Sequence, residues 1–88
     1  DKINSAKSIQ VFPNPNNTGL LHFQMKDGSV NALNVLIMDL NGRTITHQTL
    51  KGQEASINVN NYSNGVYFYN IFNEKQQFVE GGKFIISQ

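Results

Sequence analysis

The sequence predicts an all-β domain, an immunoglobulin-like β-sandwich of about seven antiparallel strands. Three observations carry that prediction. Asn comes in bursts, Asn14, Asn16 and Asn17, then Asn60, Asn61 and Asn64. Asn tolerates positive φ and bonds its own backbone, so each burst marks a turn. Between the bursts run short stretches of Val, Ile, Phe, Tyr and Thr with period-two alternation, the repeat of a strand with one buried face. No window carries apolar residues at the i, i+3, i+4, i+7 spacing of a helix.

The elements follow in order. Asp1–Lys7 is polar and unpatterned and reads as the end of a linker, leaving residues 8–88 as the domain. Ser8–Phe12 is a first short strand, stopped by Pro13 and Pro15, which cannot donate to a ladder. Gly19–Lys26 is the second, with Leu21, Phe23 and Met25 on its buried face. Asp27-Gly28 opens a turn or a longer loop to Asn31. Leu33–Leu40 is apolar on both faces, which predicts a central strand covered on its second side by a loop or a partner. Asn41-Gly42 joins it to Arg43–Leu50 and is read as a two-residue type I′ hairpin turn, with positive φ at both residues. Asp39 and Arg43 flank that turn closely enough for an ion pair that sets register. Ala55, Ile57 and Val59 alternate with polar residues, as on a strand with one wet face. Asn64-Gly65 leads into the aromatic strand Val66–Phe72, and Asn73-Glu74-Lys75 turns it into a last segment, Gln76–Ser87. Gly81-Gly82 is expected to break that segment with a bulge before Lys83–Ser87.

Composition limits the function. With 88 residues the chain builds one core and has no room for a second domain or a deep catalytic cleft. The absence of Cys removes disulfides and thiolate metal sites. A net charge of +1 gives no field to steer nucleic acid or an anionic membrane. The methionines are Met25 and Met38 alone, so Asp1 reads as a processing point and the chain as a piece of a longer protein. No apolar run approaches the ~18 residues that span a bilayer.

Little chemistry is on offer. His22 and His47 lie in separate strands, at no ligand spacing with another His, Asp or Glu. The acids are scattered singly, no calcium-loop pattern occurs, and no G-x-S-x-G elbow is present. Tyr67, Phe68, Tyr69 and Phe72 are the material of a sugar-stacking platform, but a central strand needs large residues on both faces, and the core reading is preferred. No cofactor, metal or small-molecule substrate is expected, and no enzymatic activity.

Four blocks, in order and nearly spanning the chain, form a pattern. They are Val11-Phe12-Pro13-Asn14-Pro15 followed by Gly19; Ile37-Met38-Asp39-Leu40-Asn41-Gly42-Arg43; Asn64-Gly65-Val66-Tyr67-Phe68; and Gly82-Lys83-Phe84-Ile85-Ile86. Together they resemble the C-terminal sorting domain of the type IX (Por) secretion system of Bacteroidetes. The resemblance implies an address label at the end of an exported protein. Its upstream cargo would pass through the periplasm, be carried across the outer membrane by the type IX translocon, and be released or anchored at the surface after cleavage by a sortase-like cysteine protease. It also implies translocon recognition by Gly82, Lys83, Phe84, Ile85, Ile86, Ser87 and Gln88. Pro13, Asn14, Pro15, Gly19, Asp39, Leu40, Asn41, Gly42, Arg43, Gly65 and Tyr67 fall where the family keeps turns and core strands. This chain ends Ser87-Gln88, whereas family members often end in a basic residue. A terminal strand of this kind would offer an edge for β-augmentation. The competing readings are a carbohydrate- or protein-binding module with Tyr62, Tyr67 and Tyr69 as contacts, and a structural spacer of fibronectin type III kind. A small hydrolase finds no nucleophile–base constellation to support it.

Overall fold

The computed structural model describes residues 9–25 and 32–88. The expected linker Asp1–Lys7, Ser8, Lys26 and the Asp27–Asn31 turn lie outside the described residues.

The alternating stretches form strands in the expected order: β1 (Ile9–Phe12), β2 (Leu20–Met25), β3 (Leu33–Met38), β4 (Thr44–Leu50), β5 (Glu54–Asn58), β6 (Gly65–Phe72) and β7 (Phe78–Ile86). All pairings between them are antiparallel. They make a three-stranded sheet, β1-β2-β5, and a four-stranded sheet, β4-β3-β6-β7. Period-two alternation decides which side of each strand is dry. Leu21 and Phe23 from the smaller sheet meet Val35, Ile37, Ile71 and Phe84 from the larger, all at most 1% exposed. Phe23 meets Tyr69 edge-on across the gap, with ring centroids 6.0 Å apart. β3 lies between β4 and β6, as its two apolar faces predict.

The turn between β3 and β4 departs from expectation. Gly42 has φ +83°, but Asn41 does not take positive φ. The Gly42 N–H bonds Asp39 O at 3.0 Å, and Asp39 N–H bonds Arg43 O at 2.9 Å. This is a type I turn closed by one left-handed residue, the three-residue hairpin loop, and not the two-residue type I′ turn. The Asp39 side chain selects it. Its Oδ1 accepts the N–H groups of Asn41 and Arg43, both at 2.9 Å, and its Oδ2 accepts Arg43 Nε–H at 3.2 Å, which is the anticipated ion pair.

The β6–β7 hairpin repeats the design. Asn73 N–H bonds Gln77 O, Gln76 N–H bonds Asn73 O, and Asn73 Oδ1 accepts from Lys75 and Gln77 N–H. Here Gln76 sits at φ +66°, where the first loop has Gly42. The expected break at Gly81-Gly82 is absent. β7 runs through both glycines, and the extra residue is Val79, where pairing passes from Ile71↔Glu80 to Phe72↔Phe78. The glycines serve contact instead. A Cβ on Gly82 would lie 2.6 Å from the Tyr69 hydroxyl and 2.8 Å from its ring, so the bare backbone makes room for the tyrosine.

Two predictions follow from these loops. Gln76→Gly relieves a left-handed side chain and raises unfolding free energy by about 0.5–1 kcal/mol in urea melts. Asp39 is held below its ordinary pKa of 3.8, first by the Arg43 N–H, against some desolvation, then by the Asn41 N–H and the Arg43 guanidinium. The preference for its carboxylate therefore stabilises the fold above that value and is lost as pH falls through the lower folded pKa. A carbon-13 NMR titration should place the Asp39 midpoint below the ordinary value, and Asp39→Asn should flatten the loss of stability in that acid window.

Candidate recognition site

The four blocks are distant in sequence, yet they gather at one end of the four-stranded sheet. Pro13–Asn16 lies against the last residues of β7. Asn64 holds Gln88: Gln88 N–H bonds Asn64 Oδ1 at 2.9 Å, and Asn64 Nδ2–H bonds Gln88 O at 3.3 Å. Gly65 pairs with Ile86. Asp39, Leu40 and Asn41 share a shallow depression with Asn64–Tyr67.

Asn16, which the sequence reading used only as a turn marker, organises this end. It is fully buried, at 0% exposure, and its polar groups are partnered. Its main chain bonds β7 as a short parallel bridge, with Asn16 N–H to Ile85 O at 2.6 Å and Ser87 N–H to Asn16 O at 2.9 Å. Its side-chain amide faces the other sheet. Nδ2–H bonds Leu20 O at 2.7 Å, and Oδ1 accepts Gly19 N–H at 3.1 Å and Thr18 N–H at 3.3 Å. Gly19 makes the tight return to β2 at φ +87°, and a Cβ there would lie 2.7 Å from Asn60 Oδ1. Only burial distinguishes Asn16 from its neighbours Asn14 and Asn17, and burial of a turn residue leaves no mark in the local sequence.

Asn14 continues the bridge with its side chain. Its Nδ2–H bonds Lys83 O at 3.1 Å and its Oδ1 accepts Ile85 N–H at 3.0 Å, the same two bonds to β7 that a strand residue would make. Both flanking bonds, Phe12–Pro13 and Asn14–Pro15, are cis. The edge of the terminal strand at Lys83, Ile85 and Ser87 is thus occupied by Asn14 and Asn16. That corrects the expectation of an open edge for β-augmentation there, because the groups an incoming strand would use already have partners.

The terminal segment divides by face. Phe84 and Ile86 are 0% and 1% exposed and belong to the core, so they cannot contact a partner of the folded domain. Gly82 lies against Tyr69. Lys83, Ile85, Ser87 and Gln88 are exposed. Tyr67 is buried, and its hydroxyl donates to Ser63 O at 2.7 Å, the tyrosine corner of immunoglobulin-like folds. Tyr62 and Phe84 pack on either side of it, at centroid distances of 5.2 and 5.6 Å. Burial also pushes the Tyr62 and Tyr69 hydroxyls above their ordinary pKa, with Glu80 adding to the effect at Tyr69. Tyr67 and Tyr69 are therefore core residues and not sugar contacts.

His22 lies on the outer face of the three-stranded sheet. It stacks on Phe12, and its Nδ1 is 2.8 Å from Ser56 Oγ on the opposed strand. The nearby Glu54 carboxylate accepts from Gln24 Nε2–H. No group of three metal-ligating side chains assembles among the described residues.

Asn16→Ala removes three bonds and leaves the buried Gly19 N–H without its acceptor, so the expected cost in denaturant unfolding is about 2–4 kcal/mol. Asn14→Ala, at an exposed position, should cost only about 0.5–1.5 kcal/mol. Equal and small effects at both positions would contradict the central role of Asn16.

Comparison with known proteins agrees with this architecture. No curated protein matches the chain. Among solved structures, the chain is similar to a DUF3244 family protein with an immunoglobulin-like β-sandwich fold from Bacteroides vulgatus ATCC 8482. The TM-score is 0.72 at 16% identity, over 92% of this chain and 85% of that one, a likeness of fold. The family model for the secretion system C-terminal sorting domain matches residues 10–87, which contain all four blocks. With nearly its whole length matched, this immunoglobulin-like sandwich belongs to the family of C-terminal sorting domains of the type IX secretion system.

Proposed function

We propose that the folded domain is read as a unit by the type IX translocon, carries an upstream cargo from the periplasm across the outer membrane, and is then removed by a sortase-like cysteine protease. The domain contributes recognition and no chemistry of its own. The observation that carries this reading is the meeting of the family's four blocks at one end of the sheet. There the terminal residues are locked by Asn14, Asn16 and Asn64, and Lys83, Ile85, Ser87 and Gln88 are held outward. A segment fixed in this way is presented in one geometry, which lowers the ordering cost of being bound.

The test is a secreted reporter carrying a signal peptide and fused to residues 1–88, expressed in a type IX-competent host. Trimming the whole Lys83–Gln88 segment would be uninformative, because it strips Phe84 and Ile86 from the core. Removing Ser87 and Gln88 alone spares the core and deletes the ties to Asn16 and Asn64. The intact fusion should reach the surface in a translocon-dependent manner, and the trimmed one should fall by about tenfold, the effect of losing one to two kcal/mol of binding. A reporter that stays in the periplasm with the intact domain attached would overturn the proposal.

A further inference from the structure

The two outer faces of the sandwich differ in how much apolar surface they show. On the three-stranded sheet the register sets Gln10 beside Gln24, Gln24 beside Glu54, and His22 beside Ser56, a mostly polar face on which Phe12 and Leu20 are the exposed apolar residues. On the four-stranded sheet the outer face carries an apolar band toward the end where Lys83 and Ile85 lie, flanked by the polar Asn34, His47, Thr49 and Asn70. Met38 lies opposite Phe68, and Ile85 lies two residues further along β7 from Lys83, which is itself opposite Phe68. Phe78 closes one corner against Phe72, with ring centroids 5.9 Å apart, and Ile45 bulges out at the other side on β4. Ile45, Phe68, Phe78 and Ile85 are 42%, 36%, 61% and 38% exposed. An antiparallel sheet with one face on the core normally turns polar residues to water on the other, and a contiguous apolar face marks a docking surface.

Charge narrows the occupant. Among the described residues, the register places one formally charged side chain on this face, Lys83, while Glu80 lies opposite the buried Ile71 and so belongs to the inner side of β7. A second copy brought face to face would add a second lysine and no carboxylate to meet either. The chain, moreover, enters the described fold at Ile9 on the other sheet. The face is also continuous with the terminal segment, since Lys83 and Ile85 belong to both.

We propose that the outer face of the four-stranded sheet, centred on Phe68 and Lys83, is the surface on which the secretion machinery docks, and that the docking protein presents an apolar patch with a carboxylate opposite Lys83. This rests on the sorting role proposed above and names the surface that performs it. Phe68 supplies the central apolar contact, and Lys83 supplies register through a charge that only an acidic partner satisfies.

The experiment uses the same reporter fused to residues 1–88, with Phe68→Ser and Lys83→Glu as separate variants and His22→Ala and Ser56→Ala on the opposite face as controls. Lys83→Glu alters an exposed side chain and keeps the proposal testable if Phe68→Ser fails to fold. Each face variant should lower surface delivery by about tenfold or more at an unchanged thermal midpoint, while the controls deliver as the parent does. The parent domain should sediment as a monomer. Full delivery of both face variants beside a delivered parent would overturn the docking face alone, whereas a parent that never leaves the periplasm would overturn the sorting role with it. A parent dimer dispersed by Lys83→Glu or Phe68→Ser would assign the face to a second copy. A photoreactive group replacing the Phe68 ring that captured the fused reporter would assign it to the cargo. Either result would overturn the proposal.

Discussion

A single buried amide holds the recognition end of this domain together. Asn16 is the one polar side chain fully buried among the described residues, and it reaches both sheets, through its main chain to β7 and through its side chain to the start of β2. Burying an amide is unfavourable unless its polar atoms find partners, and here both Oδ1 and Nδ2 do. The match also confers uniqueness. An apolar residue in the same place would pack as well against several arrangements of the Pro13–Gly19 loop, whereas the amide accepts one. The positions of Asn14, Gly19 and the last residues of the chain all follow from it.

The same economy appears in how the sandwich treats its edges and corners. A terminal strand at the edge of a sheet invites uncontrolled pairing. This one is closed over Lys83–Ser87 by a segment whose prolines cannot donate and whose Asn14 side chain takes the place of a backbone. The two hairpins of the larger sheet use one device twice, an acidic or amide side chain at the first loop position accepting two backbone N–H groups. The device sets the register of β3 with β4 and of β6 with β7, and so fixes which residues reach the outer face. With the Lys83–Ser87 stretch of edge occupied, its main-chain groups are closed to an incoming strand, and the docking proposed above would run through side chains.

Much of this was legible beforehand. Alternation in Leu21-Phe23-Met25 and in Val35-Ile37 identified strands and their dry faces, because the pleat has a period of two wherever a strand lies. The Asp39–Arg43 pair was legible because its partners are four residues apart. The loop that carries it was misjudged for a local reason: Asn-Gly suits a two-residue turn, but Asp39, two residues before Asn41, offers an acceptor that favours the longer one. Gly81-Gly82 was misjudged for a distant reason. The glycines look like a break in a strand, and only the approach of Tyr69 from the neighbouring strand shows that they provide clearance.

Resemblance to the sorting family rested on four blocks of residues, and sequence order alone could not say that they converge. By itself the sequence determined the class of fold, the strands, their buried faces and the family, since each is written in local periodicity or in contiguous residues. Tertiary structure decided which members of the terminal segment can be touched, that its edge is already taken, and that a turn asparagine is the buried link between sheets. The physical reason is separation: Asn14 bonds residues 69 and 71 positions away, and nothing in the neighbourhood of either partner specifies the other until the sheets have packed.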